Sequence, residues 1–453
     1  MTSDRVMLRQ HSGRLDQSEA EHDAPAGREP DKRERAVVPA AATRPRRVVI
    51  VGAGFAGLEA TKALAASPVE VVLIDQKNHH CFQPLLYQVA TASLSPADIA
   101  WPIRAILRNQ RNVDVMLARV LGIDQDRNVV RTTAGEIAFD YLVLATGATH
   151  HYFGHPEWEK SAPGLKSVED ATRIRSHILM SFEAAEVAHD LQTQRYLMTF
   201  VIVGGGPTGV EMAGAIAEIA RQTLRRDFRH IDPAEASIIL LEAGTRLLPA
   251  FPEKLAASAH RALEAAGVDV RTSAQVTTCD QGGVVAGGKR IAAGTVIWAA
   301  GVKASPAAEW LDAPHDRNGR VAVNENLSIP GWDNIFVVGD TAAASSGGRP
   351  VPGVAPAAKQ MGEYVGRLIS ARIAGNPANA PFRYRDYGTL ATVGRRYAIV
   401  KLGRFELTGF MAWLFWSVVH VYYLIGARNR AVVALNWFWN YMTFQRGARL
   451  ISS

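Results

Sequence analysis

The chain has 453 residues, 48% hydrophobic and 21% charged, which is enough to bury the cores of two or three domains. Its two cysteines, Cys81 and Cys279, form no C-x-x-C, which excludes a disulfide framework and a metal knuckle and fits a reducing compartment. The formal net charge is +7, yet no nucleic-acid motif accompanies it.

Residues 1–46 carry nine Lys or Arg, eight Asp or Glu, few large apolar side chains and no periodicity, which predicts a disordered leader. No positive-then-apolar stretch there resembles a secretory signal. From Arg47 to Ala60 the chain reads RVVIVGAGFAGLEA: a Val/Ile strand, a G-x-G-x-x-G turn and an Ala-rich helix start. The first glycine of such a turn permits the tight bend, the second lets a pyrophosphate approach the backbone, and the third lets helix and strand pack closely. Here they are Gly52, Gly54 and Gly57. The phosphates then meet free N–H groups and the positive end of the helix.

A second strand, VEVVLID, ends in Asp75, at the distance beyond Gly57 where an acidic side chain accepts hydrogen bonds from a ribose. The following NHHCFQPLLYQVATASLSP is a loop with many aromatic and apolar groups. Three consecutive side chains, His79, His80 and Cys81, do not converge on one ion, so no metal is expected. Residues 131–147 read as a β-hairpin with its turn at Thr133-Ala134-Gly135, leading into the buried strand YLVLATG. From about Gly164 a helical stretch leads to the next nucleotide unit.

FVIVGGGPTGVEMA, Phe200 to Ala213, repeats the fingerprint with Gly204, Gly206 and Gly209. The offset from Gly52 to Gly204 is nearly matched by that from Gly147 to Gly301, two later glycines in equivalent strands. Each unit also carries a glutamate two residues after its last glycine, Glu59 and Glu211. Two units in register over that distance imply two dinucleotides. SIILLE ends at Glu242, farther from Gly209 than Asp75 is from Gly57, because RRDFRHIDPAEA is inserted. A carboxylate there repels a 2′-phosphate and accepts a 2′-hydroxyl, favouring NADH over NADPH, with Arg246 four residues on as a counterweight. NIFVVGD then gives a buried strand ending at Asp340, and a helix from about Ala357 has Pro356 at its start.

From Arg395 to Ser453 the chain holds eight basic side chains and one acid, Glu406, so the whole excess charge lies here, with four of the nine tryptophans. Leu407 to Ala427 contains no Asp, Glu, Lys or Arg. The length of that run permits a membrane span, but His420, two glycines and the amphipathic aromatics favour a pair of helices lying in one leaflet, drawn to an anionic surface. A helical pair buried in a homodimer interface is the competing reading.

VGAGFAGLEA, FQPLLYQVA, VGGGPTGVEMAG, VVGD, APAAKQ and AWLFWSVVHVYYLIGARNR together resemble the type II NADH dehydrogenases, single-subunit NADH:quinone oxidoreductases that pump no protons. The likeness runs from Arg47 to Ile451. It implies an α/β fold of two Rossmann-like, glutathione-reductase-like domains with a C-terminal helical membrane-association region. The expected parts are 47–163 and 304–385 for FAD, 164–303 for NADH and 386–453 for membrane-anchoring helices. FAD would be held by Gly52, Gly54, Phe55, Ala56, Gly57, Asp75, Gln76, Val120, Thr146, Gly147, Asp340, Ala357 and Ala358. NADH would be held by Gly204, Gly206, Pro207, Thr208, Gly209, Glu211, Glu242, Ala300 and Gly301.

The family's quinone motif A-Q-x-A-x-Q matches Ala355–Gln360, with Pro356 replacing the first Gln. Glu211, Lys359 and Gln360 are the expected catalytic residues, and Gln88, Lys359 and Gln360 the quinone-facing ones. The implied reaction passes a hydride from NADH to flavin N5, then two electrons to ubiquinone or menaquinone. The implied location is the cytoplasmic face of the cell membrane, peripheral or monotopic. Competing classes are a sulfide:quinone oxidoreductase, which needs cysteines beside the flavin, a soluble NAD(P)H:ferredoxin-type reductase, which lacks the tail, and a non-enzymatic flavin-binding assembly factor.

Overall fold

A computed structural model describes residues 44–376, 380–443 and 447–451; the expected leader lies outside them except for residues 44–46, and Arg46 already opens the first strand. Strand β1 (Arg46–Val51) leads through the glycine turn into α1 (Phe55–Ala63), followed by β2 (Val69–Asp75), the short helix α2 (Leu86–Ala90), β3 (Val113–Leu117) and β4 (Tyr141–Leu144). The long helix α3 (Val168–Val187) starts on a capping box, in which Ser167 Oγ accepts from Asp170 N–H and the Asp170 carboxylate accepts from Ser167 N–H. The second unit comprises β5 (Thr199–Val203), α4 (Pro207–Glu218), β6 (Ser237–Leu241), β7 (Val268–Arg271) and β8 (Thr295–Trp298). The chain then returns to the first unit with β9 (Trp332–Val337) and α5 (Ala355–Ile373).

The two units share one strand order. The first sheet runs from residues 328–329 through β9, β4, β1, β2 and β3, and the second through β8, β5, β6 and β7. In each, the fingerprint strand lies centrally with its closing strand on one side and the next two strands on the other, all parallel. Such strands are covered on both faces, which is why they read as unbroken Val/Ile/Leu runs. Val48, Val49, Ile50, Phe200, Val201 and Ile202 are fully buried.

Helix α5 is clamped onto α1. A Cβ on Gly362 would lie 2.0 Å from Ala56 O, and one on Gly366 2.7 Å from Ala60 O, so only glycine allows this approach. The clamp brings the N-terminal end of α5 to the first glycine turn.

The C-terminal region departs from the expectation of helices alone over 386–453. Strands β10 (Thr389–Val393), β11 (Tyr397–Leu402) and β12 (Phe405–Gly409) form an antiparallel sheet first. Leu407, the first residue of the expected apolar run, pairs with Val400 in that sheet. The hairpin turn at Gly403, with φ +55°, fixes this pairing, and a hydrophobicity count does not detect it. Helices α6 (Phe410–Tyr423) and α7 (Ala427–Thr443) follow.

At 1.5 Å per residue, α6 is about 21 Å long against a bilayer core of about 30 Å. No helix among the described residues is long and apolar enough to cross a membrane. The inner face of this pair is part of the protein core: Ala412, Trp416, Leu424 and Val433 are buried in the same cluster as Val210 and Met212 of α4. The outer face exposes Met411, Leu414, Val418, Leu435, Phe438 and Trp439.

Candidate functional site

The two glycine turns are built alike. Gly52 and Gly204 have φ of +98° and +112°, a region that side chains rarely enter. Gly52 N–H donates to Ile74 O and Gly204 N–H to Leu241 O, both at 2.7 Å. A Cβ on Gly57 would lie 1.7 Å from Gly52 O, and one on Gly209 1.8 Å from Gly204 O. By contrast, a Cβ on Gly54 or Gly206 would meet nothing within 4 Å. The space in front of these two is the open cradle that a pyrophosphate needs at a helix N-terminus.

The acidic residues repeat as well. Asp75 accepts from Ala53 N–H at 2.6 Å and Lys77 N–H at 2.8 Å. Glu242 accepts from Gly205 N–H and Gly244 N–H, both at 2.6 Å. In each unit the carboxylate at the end of the second strand thus straps the residue after the first glycine. Burial raises the Asp75 pKa against the pull of those two amides. The longer spacing of Glu242 in sequence leaves its position unchanged, because the insertion loops out before β6.

Around the first turn, Thr146 Oγ1 lies 2.5 Å from Ser305 Oγ and 3.2 Å from Thr341 Oγ1, and Thr341 donates to Gly147 O at 3.1 Å. The Asp340 carboxylate lies beside Gly353, whose added Cβ would be 3.4 Å from its Oδ1. Ala357 and Ala358 form the buried first turn of α5 next to Gly339. Phe55 is half-buried, with edge contacts to His80 at 5.1 Å and Phe82 at 5.9 Å. The side chains of Ala56 and Val120 belong to the core, which leaves only their backbones to face a nucleotide, and Gln76 is exposed. The glycine cradle, the strapped carboxylate and the hydroxyl cluster fit an FAD.

In the second unit a cavity of about 580 Å³ gathers Gly204, Gly206, Glu242, Ala300 and Gly301. Pro207 is exposed at the first position of α4, with Thr208 beside it and Gly209 packed against the strand. Phe153 and Trp158 also line the cavity, and an added Cβ on Gly301 would lie 2.7 Å from Phe153 Cζ. Sequence reasoning missed both aromatics. Phe153 has φ +51°, a backbone state that no local pattern announces.

Glu211 lies outside that cavity and faces β10, where Thr392 N–H donates to it at a long 3.5 Å. Part of its surface stays accessible, yet the surrounding protein raises its pKa to about 8 through loss of hydration. Tyr87, within FQPLLYQVA, and Thr392 adjoin it; their hydroxyls are 3.1 Å apart, and Thr392 does not stand out in the sequence. Gln88, expected at the quinone, is buried: its amide donates to Tyr87 Oη at 2.9 Å and accepts from Trp437 Nε1 at 2.7 Å. It therefore ties the first domain to α7. Gln360 likewise exchanges two 2.9 Å hydrogen bonds with the Arg385 backbone. Both amides thus have partners within the protein, and Lys359 is the charged one of the three expected quinone residues. Its Nζ lies 3.8 Å from Glu59 and 5.0 Å above the Tyr423 ring. No cluster of potential metal ligands occurs among the described residues.

Two nucleotide pockets built on the same kind of turn, beside a partly buried carboxyl, define a flavin-dependent pyridine-nucleotide oxidoreductase. Residues 46–362 match the pyridine nucleotide-disulphide oxidoreductase family, and residues 387–446 match the NDH2 C-terminal domain. The type II NADH:quinone oxidoreductase Ndh of Mycobacterium tuberculosis is 44% identical over 424 residues, covering 90% of this chain and 91% of its own. A Staphylococcus aureus type II NADH:quinone oxidoreductase is 31% identical over 77% of this chain and 88% of its own. NDH2 from Plasmodium falciparum, solved in complex with NADH, shares the fold at TM-score 0.82 and 20% identity, covering 90% of this chain and 100% of that one. The chain belongs to the type II NADH:quinone oxidoreductase family.

Proposed function

We propose that this chain oxidises NADH on a resident FAD and reduces a membrane quinone, ubiquinone or menaquinone, from the cytoplasmic face of the membrane. The observation that carries this is the pair of matching glycine cradles, one in each domain, with Glu211 facing β10 of the C-terminal region. FAD, when bound, supplies a two-electron acceptor that takes a hydride and passes the electrons on.

The chain's own residues do the rest. Gly52, Gly54 and Gly57 leave room for one pyrophosphate, and Gly204, Gly206 and Gly209 for the other. Glu242 accepts the 2′-hydroxyl of NADH and disfavours a 2′-phosphate. The first turn of α5, at Ala357 and Ala358, sets a positive dipole end toward developing negative charge. Glu211, protonated at neutral pH, holds the proton that quinone reduction consumes. Lys359 sits between Glu59 and the Tyr423 ring, at the junction with α6, and orients the quinone head. The exposed apolar faces of α6 and α7 dock on an anionic leaflet, with Arg404 and Arg428 exposed beside them.

The two thiols argue against sulfide chemistry. Burial pushes Cys81 up to about 12 and Cys279 up to about 11, so neither is a ready nucleophile at neutral pH. Mixing the purified protein with NADH or with sulfide decides between them. NADH is expected to bleach the flavin absorbance promptly and sulfide to leave it unchanged; bleaching by sulfide alone refutes the proposal.

A further inference from the structure

A second feature lies away from both nucleotide turns. An open cleft of about 1150 Å³ is lined by six arginines, Arg221, Arg225, Arg226, Arg395, Arg396 and Arg449, against two carboxylates, Glu218 and Asp227. Arg395 lies 3.8 Å from Glu218, and Arg449 pairs with Asp227. Arg221, Arg225 and Arg226 have no ion pair among the described residues. Arg221 is the most constrained. Its Nη2 donates to Gly267 O at 2.9 Å, and Gly267 lies so close under the guanidinium that an added Cβ would be 2.6 Å from Nη2. Its Nη1 is buried with no hydrogen-bond partner among the described residues. Burial also lowers the Arg221 pKa, the mark of a cation lacking a counter-charge.

The local fold is shaped around this cleft. Helix α4 widens at its end into a π-helical turn, Ile219–Thr223, and Arg221 sits on it. Such widenings interrupt the regular ladder at a cost and recur at functional sites. Arg395 and Arg396 occupy the hairpin turn after β10, seated against α4 at Gly214, where an added Cβ would lie 2.7 Å from Gly394 N.

The cleft also borders the membrane-facing tail, because Thr443 and Arg449 line it. A small pocket shares Glu218, Gly394 and Arg395 with the cleft, and it shares Trp413 and Trp437 with an apolar groove of about 690 Å³ on the exposed face of α6 and α7. Unpaired guanidinia on one side and an oily groove one side-chain layer away match a molecule with an anionic head and apolar chains.

We propose that this cleft binds the phosphate headgroup of an anionic phospholipid, with Arg221, Arg225 and Arg226 as its cationic wall. The proposal rests on the reading that the tail docks on a membrane, and it adds a defined lipid site to a diffuse surface attraction. The plainer account is that Arg225 and Arg226 only complement the negative end of α4.

The test uses the full-length, FAD-loaded enzyme and short-chain lipids below micelle concentration at fixed ionic strength. Dihexanoyl-phosphatidylglycerol is titrated against dihexanoyl-phosphatidylcholine and inorganic phosphate, with calorimetry as the readout. Saturable binding of one phosphatidylglycerol per chain is expected, with neither comparison compound saturating. R221Q and R225A/R226A should each weaken it by about tenfold or more, while R428A on the outer tail changes it less than about twofold. Lack of saturation, or equal binding in the variants, overturns the site, and equal binding of inorganic phosphate overturns its assignment to lipid. NADH:ferricyanide activity of the variants reports intact folding. Its absence in the unmodified enzyme would refute the proposed reaction without touching the lipid site.

Discussion

The two nucleotide units start from the same turn and end in different chemistry. Their glycines, strand order and strapped carboxylates coincide, yet the glutamates at equivalent places, Glu59 and Glu211, do not behave alike. Glu59 is ion-paired, 3.2 Å from Lys62 and 3.8 Å from Lys359. Glu211 has no cation within ion-pair distance among the described residues and a pKa of about 8. The difference comes from what packs over each: α5 with its lysine in the first unit, the edge of β10 in the second. The same phosphate cradle occurs twice, and the element laid over each copy decides which glutamate is left without a counter-charge.

The largest expected effect separates the two cradles. A Cβ at either Gly54 or Gly206 meets no protein atom, so valine there obstructs the phosphate without breaking the fold. G54V should be isolated colourless and inactive, whereas G206V should stay yellow with a KM for NADH raised about 10²-fold or more. If both variants lose flavin, the assignment of separate roles is broken.

The glutamate pair sharpens the comparison next. E211Q should lower quinone turnover by about 10²-fold, the usual scale for a lost proton donor. E59Q should cost less than about twofold, because exposed ion pairs contribute little. Equal losses in steady-state assays would contradict the division of labour.

Glu242 predicts a smaller change. Removing its charge in E242Q should reduce the preference for NADH over NADPH by about tenfold, read as the ratio of the two kcat/KM values.

The smallest effect is on stability. A carboxyl raised from 4.5 to about 8 favours folding fully below pH 4.5, and that contribution is lost as pH rises through about 8. Between pH 5 and pH 8 the unmodified protein should therefore lose more thermal stability than E211Q, by about 2 °C or more in Tm. Parallel melting profiles would show that Glu211 titrates normally.

Much of the nucleotide chemistry is legible in the sequence because it rests on local geometry. A turn with positive φ at Gly52 and a 1.7 Å approach at Gly57 exclude every other residue, so the pattern is written in consecutive letters. Asp75 and Glu242 are legible for the same reason, each ending a strand paired with a fingerprint strand. The start of the tail is not: Leu407 reads as the first residue of an apolar helix, and the turn at Gly403 makes it a strand residue.

Motifs single out Gln88 and Gln360, but not the partners their amides meet, Trp437 and the Arg385 backbone, 349 and 25 residues away. Phe153 and Thr392 carry no local signature, and the cleft's arginines stand in two separate basic stretches whose meeting no local pattern announces. By itself, then, the sequence determined the two phosphate-binding turns, the strands that lead into them and the cationic, aromatic tail, because steric exclusion and hydrophobic periodicity act between near neighbours. Tertiary structure alone decided which glutamate is stripped of counter-charge and which arginines are left unpaired, because hydration and ion pairing depend on what distant segments bring to the same place.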